Sequence, residues 1–508
     1  MKKEKRNNII CIILTLIALI IFYTCIYINK NFSGFSFEQI LYSVVNSKGT
    51  SINALKDGII FVTILTIITF VILYTIVKLN HKYLENKYRL TIKIKNKTYL
   101  IDALYLRKKR LLFYSILLIF ISLYNSYTNL GIKEYIEFQN SKSTLIDDNY
   151  VNPKDVNITF PDKKQNLIYI FVESLETSAT SLTNGGDVEK SYIPNLENIA
   201  LNNINFSNKN NLGGAKNLSL TTWTAAGMVA QTSGIPLKVI DGNEYRGYGE
   251  SLPGATSIGD ILEDNGYKNY LLLGSDASFG GRKDYFTYHG DYEIYDLYYA
   301  RNNKWIDKDY YEWWGFEDRK LFLFAKTELK RISKNEEPFN FTILTADTHF
   351  YNGYQDKKCK NEFDSDYANS YYCLDGMLNN FIKWIEKQDF YKNTTIIITG
   401  DHLTMQNGFF NEDNYTRTIY NTFINSKITS SNYKNKSFTT LDMFPTTLAS
   451  LGVKIDGDKL GLGTNLFSNE QTLIEKYDYN YVNKEIKKKS FYYDNVILGN
   501  SYYEMKKK

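Results

Sequence analysis

Three stretches without a charged side chain lie within the first 132 residues: 7–29 between Arg6 and Lys30, 58–77 between Asp57 and Lys78, and 111–132 between Arg110 and Lys133. Roughly 20 apolar residues cross a bilayer as helix, and only a helix or a closed barrel satisfies its own backbone there. Residues 1–132 are therefore expected to form a transmembrane anchor of about three helices. The third stretch is densely apolar only through Tyr124. A cleaved signal peptide is the rival reading for the first, but bulky Phe22, Tyr23 and Tyr27 follow its core and no small-residue cleavage site is present.

Charge between these stretches sets an orientation. The segment 78–110 carries eleven Lys or Arg against Glu85 and Asp102, while 30–56 carries only Lys30, Lys48 and Lys56. Basic loops stay in the cytoplasm. An odd number of spans then sends everything after about residue 130 outside a bacterial cytoplasmic (inner) membrane, as a multi-pass protein with its main domain extracytoplasmic. The net charge of +5 owes much to this basic loop, which also holds His81. It argues for topology rather than for a nucleic-acid partner. Cys11 and Cys25 fall in the first stretch. Cys359 and Cys373 fall in the exported part, where oxidation persists, and are expected to pair across a polar intervening segment.

Residues 133–160 are polar and read as a juxtamembrane linker. Residues 471–508, rich in Lys and Tyr, read as a peripheral tail. Between them, 161–470 alternates short β-rich apolar runs with helix-forming stretches. The strand candidates are 167–172, 269–273, 341–346, 394–399 and 418–424. The clearest helices are 192–200, 223–232, 256–265, 318–333, 366–388 and 440–452. Such alternation predicts an α/β fold, a mainly parallel sheet sandwiched by helices.

Four of the strand candidates run into polar residues: Glu173-Ser174, Gly274 through Arg282, Asp347-Thr348-His349, and Asp401-His402. Parallel sheets gather their chemistry beyond the strands' carboxyl ends, so these four would converge on one crevice. The chain has four histidines, and two of the three outside the basic loop stand at these ends. His289 lies away from a strand end and reads as structural. Asp401 and His402 offer an oxygen and a nitrogen to a metal. A hydroxyl residue opens the small-residue helix at 223–232, which Gly234 and Pro236 close. Thr224 there suits a plain helix cap. It equally suits a nucleophile whose alkoxide the helix dipole and a cation would stabilise. Thr221 and Thr222 are open alternatives.

At these residues the chain resembles the sulfatase/alkaline-phosphatase superfamily, and within it the membrane-anchored phosphoglycerol transferases, the lipoteichoic acid synthase-like enzymes. Ile-Tyr-Ile-Phe-Val-Glu-Ser-Leu-Glu (168–176) is similar to their metal-binding first strand, and Trp-Thr-Ala-Ala-Gly-Met-Val-Ala-Gln-Thr-Ser-Gly-Ile-Pro-Leu (223–237) to their nucleophile segment. Phe-Gly-Gly-Arg (279–282), Asp-Thr-His (347–349), Thr-Gly-Asp-His (399–402) and Leu-Asp-Met-Phe-Pro-Thr-Thr-Leu (441–448) follow in the family's order. The Cys359 to Cys373 stretch also resembles the family's disulfide region.

The resemblance implies that Glu173, Thr224, Asp401 and His402 bind one divalent metal, with Thr224 as nucleophile and Arg282 and His349 holding phosphoryl oxygens. Mn²⁺ suits two carboxylates, an imidazole and an alkoxide, ahead of Zn²⁺ or Mg²⁺. The implied activity moves glycerophosphate from a phosphatidylglycerol-like lipid to a hydroxyl of a glycan or lipid, through an ester on the threonine. Two alternatives stand beside it: a phosphoethanolamine transferase of the same superfamily, and a catalytically dead, membrane-tethered glycan-binding protein. A formylglycine sulfatase is disfavoured, because neither Cys359 nor Cys373 stands in a Cys-x-Pro-x-Arg-like motif.

Overall fold

The computed structural model describes residues 2–499 apart from 33–34, 46–51, 80–88, 95–96, 103–107, 239–250, 412–414 and 430–432. The chain divides into two compact units, one made of Met1–Phe37 with Ser51–Ile136, the other of Glu38–Thr50 with Glu137–Lys508.

The first unit contains α1 (Lys2–Asn31), α3 (Ile52–Leu79) and α4 (Lys108–Asn129), while the intervening α2 (Phe37–Val45) is grouped from Glu38 onward with the second unit. Within the three long helices, Asn7–Asn31, Lys56–Leu79 and Leu111–Asn129 are long and apolar enough to cross a membrane. They coincide with the three uncharged stretches. Helix α1 packs against both α3 and α4. Two of its hydroxyls meet hydroxyl partners there: Tyr23 Oη lies 2.6 Å from Thr69 Oγ1, and Thr15 Oγ1 lies 3.1 Å from Ser115 Oγ. Buried hydroxyls without partners would be costly in hydrocarbon. Much of the basic loop, with His81, lies outside the described residues; a hairpin of β1 (Arg89–Ile94) and β2 (Lys97–Asp102) is its described part.

The second unit is built on a six-stranded sheet, in spatial order β6-β5-β7-β4-β8-β9. In chain order, after the short β3 (Ile158–Thr159), these are β4 (Asn166–Val172), β5 (Lys268–Leu273), β6 (Glu293–Tyr295), β7 (Phe339–Leu344), β8 (Thr394–Gly400) and β9 (Asn421–Ile424). β4 to β8 are mutually parallel, and β9 closes one edge antiparallel to β8. The central strands read as unbroken apolar runs because both faces are covered. Leu167, Tyr169 and Phe171 enter one core with the helices at Thr224–Ser233, Ile258–Asp264 and Met443–Ser450. Ile168, Ile170 and Val172 enter the other, with the helices at Pro194–Asn202, Asp318–Ile332 and Asp366–Ile385. This is the expected helix-covered, mainly parallel sheet.

Two readings from composition need correction. The tail from 471 is not merely peripheral: Leu473, Ile474, Val482, Ile486, Tyr493 and Ile497 are buried in the first core. Its apolar residues sit at helical spacing among lysines, so bulk composition hides them. The linker is ordered as well. Leu145 and Ile146 are buried, and Asp147 accepts from Ser490 Oγ at 2.7 Å and from the Tyr492 amide at 2.9 Å. Cys359 and Cys373 form the expected disulfide, with Cα atoms 5.5 Å apart.

Candidate metal centre

Strand register assembles the centre. β4 and β8 pair in parallel with Val172 opposite Gly400. The next residues, Glu173 and Asp401, therefore leave the sheet side by side, with His402 one step further. One ligand atom from each of Glu173, Asp401 and His402 falls within 4.8 Å of the others, and all three residues are buried.

The loop after β4 turns sharply at Ser174, whose φ of 57° is left-handed. That turn aims the Ser174 amide at Asp401 Oδ1 (2.8 Å) and its hydroxyl at Glu173 Oε1 (2.8 Å). The Tyr371 hydroxyl donates to the Ser174 carbonyl at 2.6 Å, and the Thr348 hydroxyl donates to the Glu173 carbonyl at 2.5 Å. Asp401 Oδ1 also accepts from the His402 amide at 2.8 Å. Asp401 Oδ2 has no hydrogen-bond partner among the described residues, although the residue is fully buried.

Thr224 is the first residue of the helix Thr224–Ser233. Its Oγ1 lies 3.2 Å from Glu173 Oε2 and 3.4 Å from His402 Nε2. Among the described residues it is the one threonine of the three candidates whose hydroxyl reaches these groups. Thr221 donates instead to the Leu218 carbonyl at 2.8 Å and so holds its own turn. The helix amino terminus also directs positive dipole into the centre.

His402 Nδ1 lies 2.8 Å from the Leu403 carbonyl, a partner that can only accept, so Nδ1 carries a proton. That leaves Nε2 facing Glu173 Oε1 and Asp401 Oδ2, each at 3.3 Å. Burial pushes the Asp401 carboxyl up to about 7, with the Glu173 charge adding to it. Burial would also raise Glu173, yet His349 and His402 hold it down to about 2. Burial would lower His402, but the two carboxylates push it up to about 9. These shifts mark three buried ionisable groups, each held by the others' charge rather than by water. With the orphaned Asp401 oxygen and an oxygen, oxygen and nitrogen donor set, the residues fit a divalent cation.

Arg282 and His349 flank this group. Arg282 is buried, and its guanidinium donates to the carbonyls of Phe279 (2.9 Å) and Asp276 (3.0 Å) and to Ser275 Oγ (3.2 Å). Burial lowers its pKa to about 10, so it stays charged at neutral pH. Gly280 and Gly281, with φ of 66° and 68°, make the turn that presents it. The His349 ring lies 4.6 Å from that of Trp314, and its Nδ1 faces the Phe350 carbonyl at 2.5 Å. Burial lowers its pKa, with Glu173 opposing. Both residues feel the Glu173 charge; neither hydrogen bonds to the three clustered residues among the described contacts.

Not every strand-end residue joins. Asp347 turns away to accept from the Asp318 amide, while Asp318 accepts from the amides of Ala346 and Asp347. His289 is structural as expected, its nitrogens facing Asp260 Oδ2 (2.8 Å) and the Ser251 carbonyl (2.7 Å). Trp314, Tyr371 and Tyr42 around the centre were not found from sequence. No motif or spacing marks them, because each arrives from a distant segment.

The sulfatase family model matches residues 165–453, and the chain belongs to that family. It is similar to phosphoglycerol transferase I of Xanthomonas campestris, at 32% identity over 254 residues, covering 48% of this chain and 34% of the relative. It is similar also to phosphoglycerol transferase I of Escherichia coli, at 30% identity over 304 residues, 58% of this chain and 38% of the relative. The chain thus spans little more than a third of the length of these curated relatives. Among solved structures, the integral membrane lipooligosaccharide phosphoethanolamine transferase A of Neisseria meningitidis matches over 87% of this chain and 84% of its own, with a TM-score of 0.51 at 14% identity. That likeness concerns the fold.

Proposed function

We propose that this protein is a membrane-anchored phosphoglycerol transferase. It moves glycerophosphate from a phosphatidylglycerol-like lipid to a hydroxyl on a glycan or lipid acceptor. The observation that carries the reading is the Thr224 hydroxyl at a helix amino terminus, 3.2 Å from Glu173 Oε2 and 3.4 Å from His402 Nε2. Glu173, Thr224, Asp401 and His402 would hold one divalent ion, Mn²⁺ ahead of Zn²⁺ or Mg²⁺. When bound, such an ion supplies charge that lowers the pKa of a hydroxyl and neutralises phosphoryl oxygens.

The chain's own residues do the rest. Phosphoryl transfer asks mainly for positioning and charge neutralisation. Arg282 and His349 hold the non-bridging oxygens so that the phosphorus faces Thr224. The Thr224 oxygen attacks phosphorus, the bond to the diacylglycerol oxygen breaks, and diacylglycerol leaves with a proton. A glycerophosphate ester on Thr224 remains. An acceptor hydroxyl then attacks the same phosphorus, gives up its proton and restores the threonine. The basic segment 78–110, which suits the cytoplasmic side, supports an extracytoplasmic site. So does α2, which lies in sequence between the first two spans yet belongs to the catalytic unit. A lipid donor suits a site tethered by three membrane-length helices.

The test supplies labelled phosphatidylglycerol and Mn²⁺ to the full-length protein and its Thr224→Ala variant. Diacylglycerol release by the wild type and none by the variant is expected. Equal release would refute the role of Thr224, and release of ethanolamine-linked products from phosphatidylethanolamine alone would favour the sister activity.

A further inference from the structure

Helix α2, Phe37–Val45, is amphipathic, with acidic Glu38 in its first turn. Gln39 and Tyr42, one helical turn apart, are both buried, while Ser43 and Val44 are exposed. Three contacts of this buried face fall on segments that carry a site residue. The Tyr42 hydroxyl donates to the Gly280 carbonyl at 2.7 Å, two residues before Arg282. The Tyr42 ring lies 5.3 Å from that of Trp223, the residue before Thr224. Gln39 Nε2 lies 3.4 Å from Met405 Sδ, three residues after His402.

The Gly280–Gly281 turn has consecutive left-handed φ values, and such a turn has few intrinsic restraints. Among the described residues, Arg282 hydrogen bonds to that turn and to the loop leading into it, through Phe279, Asp276 and Ser275. Its placement therefore depends on whatever fixes the turn from outside. Gly280 packs against Ala225, where an added Cβ would stand 3.5 Å from the Ala225 Cβ, and its carbonyl is held by the Tyr42 hydroxyl. Tyr42 and Arg282 also line one cavity of about 40 Å³ with Val229, Tyr285 and Phe286, so trimming Tyr42 would enlarge a void directly against the arginine. Trp223, the residue before Thr224, rests against the same Tyr42 ring.

We infer that α2, the loop helix between the first and second membrane-length helices, is a working part of the site, and that Tyr42 is a positioning residue that sets Arg282 through the Gly280 carbonyl. The inference rests on the phosphoglycerol-transfer reading for the role of Arg282. It has a consequence for the fold: the extracytoplasmic domain cut free at the third span lacks one wall of its own site.

The test uses the full-length protein with Tyr42→Phe, Tyr42→Leu, Arg282→Lys and the Tyr42→Phe/Arg282→Lys pair. Three quantities are read: diacylglycerol release in phosphatidylglycerol micelles, calorimetric affinity for glycerol phosphate, and calorimetric affinity for Mn²⁺. Tyr42→Phe removes one hydroxyl and keeps the ring, so it is expected to lower both kcat/KM and glycerol phosphate affinity by about three- to tenfold. Mn²⁺ affinity should stay within about twofold, because the metal-holding residues are untouched. Tyr42→Leu should cost more than Tyr42→Phe, and Tyr42→Phe should add almost nothing in the Arg282→Lys background. Wild-type values for Tyr42→Phe, a parallel fall in Mn²⁺ affinity, or full additivity in the pair would each overturn the inference. Lack of diacylglycerol release by the wild type would instead overturn the transferase reading, while glycerol phosphate affinity would still judge Tyr42.

Discussion

Gly227 stands so close to Asp401 that a Cβ built on it would lie 2.1 Å from the Asp401 carbonyl oxygen. The helix bearing Thr224 is pressed onto the end of β8 by the absence of a side chain three residues further on. Residues three apart share a helix face. The same close approach therefore places the Thr224 hydroxyl between Glu173 and His402.

Gly227→Ala should push that helix off the strand. The contact is with backbone, which cannot swing aside, and overpacking of this kind costs about 1–3 kcal/mol. Thermal unfolding should show that loss. Metal affinity and turnover should fall together, since Thr224 moves away from its partners. Retained turnover with a lowered Tm would show that the close approach serves stability alone.

Ser174 orients Glu173, a carboxylate proposed to hold the metal, with its hydroxyl 2.8 Å from Glu173 Oε1. Partners of this kind commonly contribute about 10- to 100-fold in metal affinity. Ser174→Ala keeps the amide bond to Asp401 and should lower Mn²⁺ affinity by that order with little change in Tm. Calorimetric titration of the variant with Mn²⁺ checks this.

Asp375 caps the helix Pro194–Asn202, accepting from the Leu196 amide at 2.8 Å, the Asn195 amide at 3.1 Å and Asn195 Nδ2 at 2.6 Å. Burial pushes its carboxyl up from 3.8 to about 6, against these donors. Between those pH values the folded chain holds a proton that the unfolded chain has released. Its contribution to stability is therefore fully present below 3.8 and lost as pH rises through about 6. Asp375→Asn keeps an acceptor and removes the titration. The Tm advantage of wild type over this variant should shrink between about pH 4.5 and 7. An advantage that grows over that range would contradict the assignment.

The Cys359–Cys373 bridge closes a loop with a sequence separation of 14. Cross-linking a loop of that size removes about 3 kcal/mol of unfolded-state entropy in the chain-entropy model. Replacing both cysteines by serine should lower Tm while leaving Mn²⁺ affinity intact, because none of the three clustered residues lies in the loop. A matching loss of metal affinity would tie the loop to the centre.

The centre was legible in outline because its residues obey one rule: a buried parallel strand ends, and a polar residue follows. Glu173, Asp401 and His402 all fall at such points, and strand register does the assembly. Asp347 obeys the same rule and yet turns away to Asp318, since a strand end constrains position and not side-chain direction. Thr224 could not be separated from Thr221 and Thr222 without knowing that the helix starts at Thr224. The three-residue edge strand Glu293–Tyr295 was missed, being too short to show a pattern, and the buried residues of the tail were masked by lysines. Tyr42 lay furthest from reach, because no local signal in a short loop helix records a partner more than two hundred residues away.

The ester on Thr224 is the centre of the proposed chemistry, and it can be caught directly. The full-length protein is incubated with phosphatidylglycerol and Mn²⁺ without acceptor, quenched in acid, digested and analysed by mass spectrometry. The expected result is one glycerophosphate on the peptide containing residues 221–224, located at Thr224 by fragmentation and absent from Thr224→Ala. Diacylglycerol release with the adduct on Thr221 or Thr222, or with no adduct on any threonine, would contradict it.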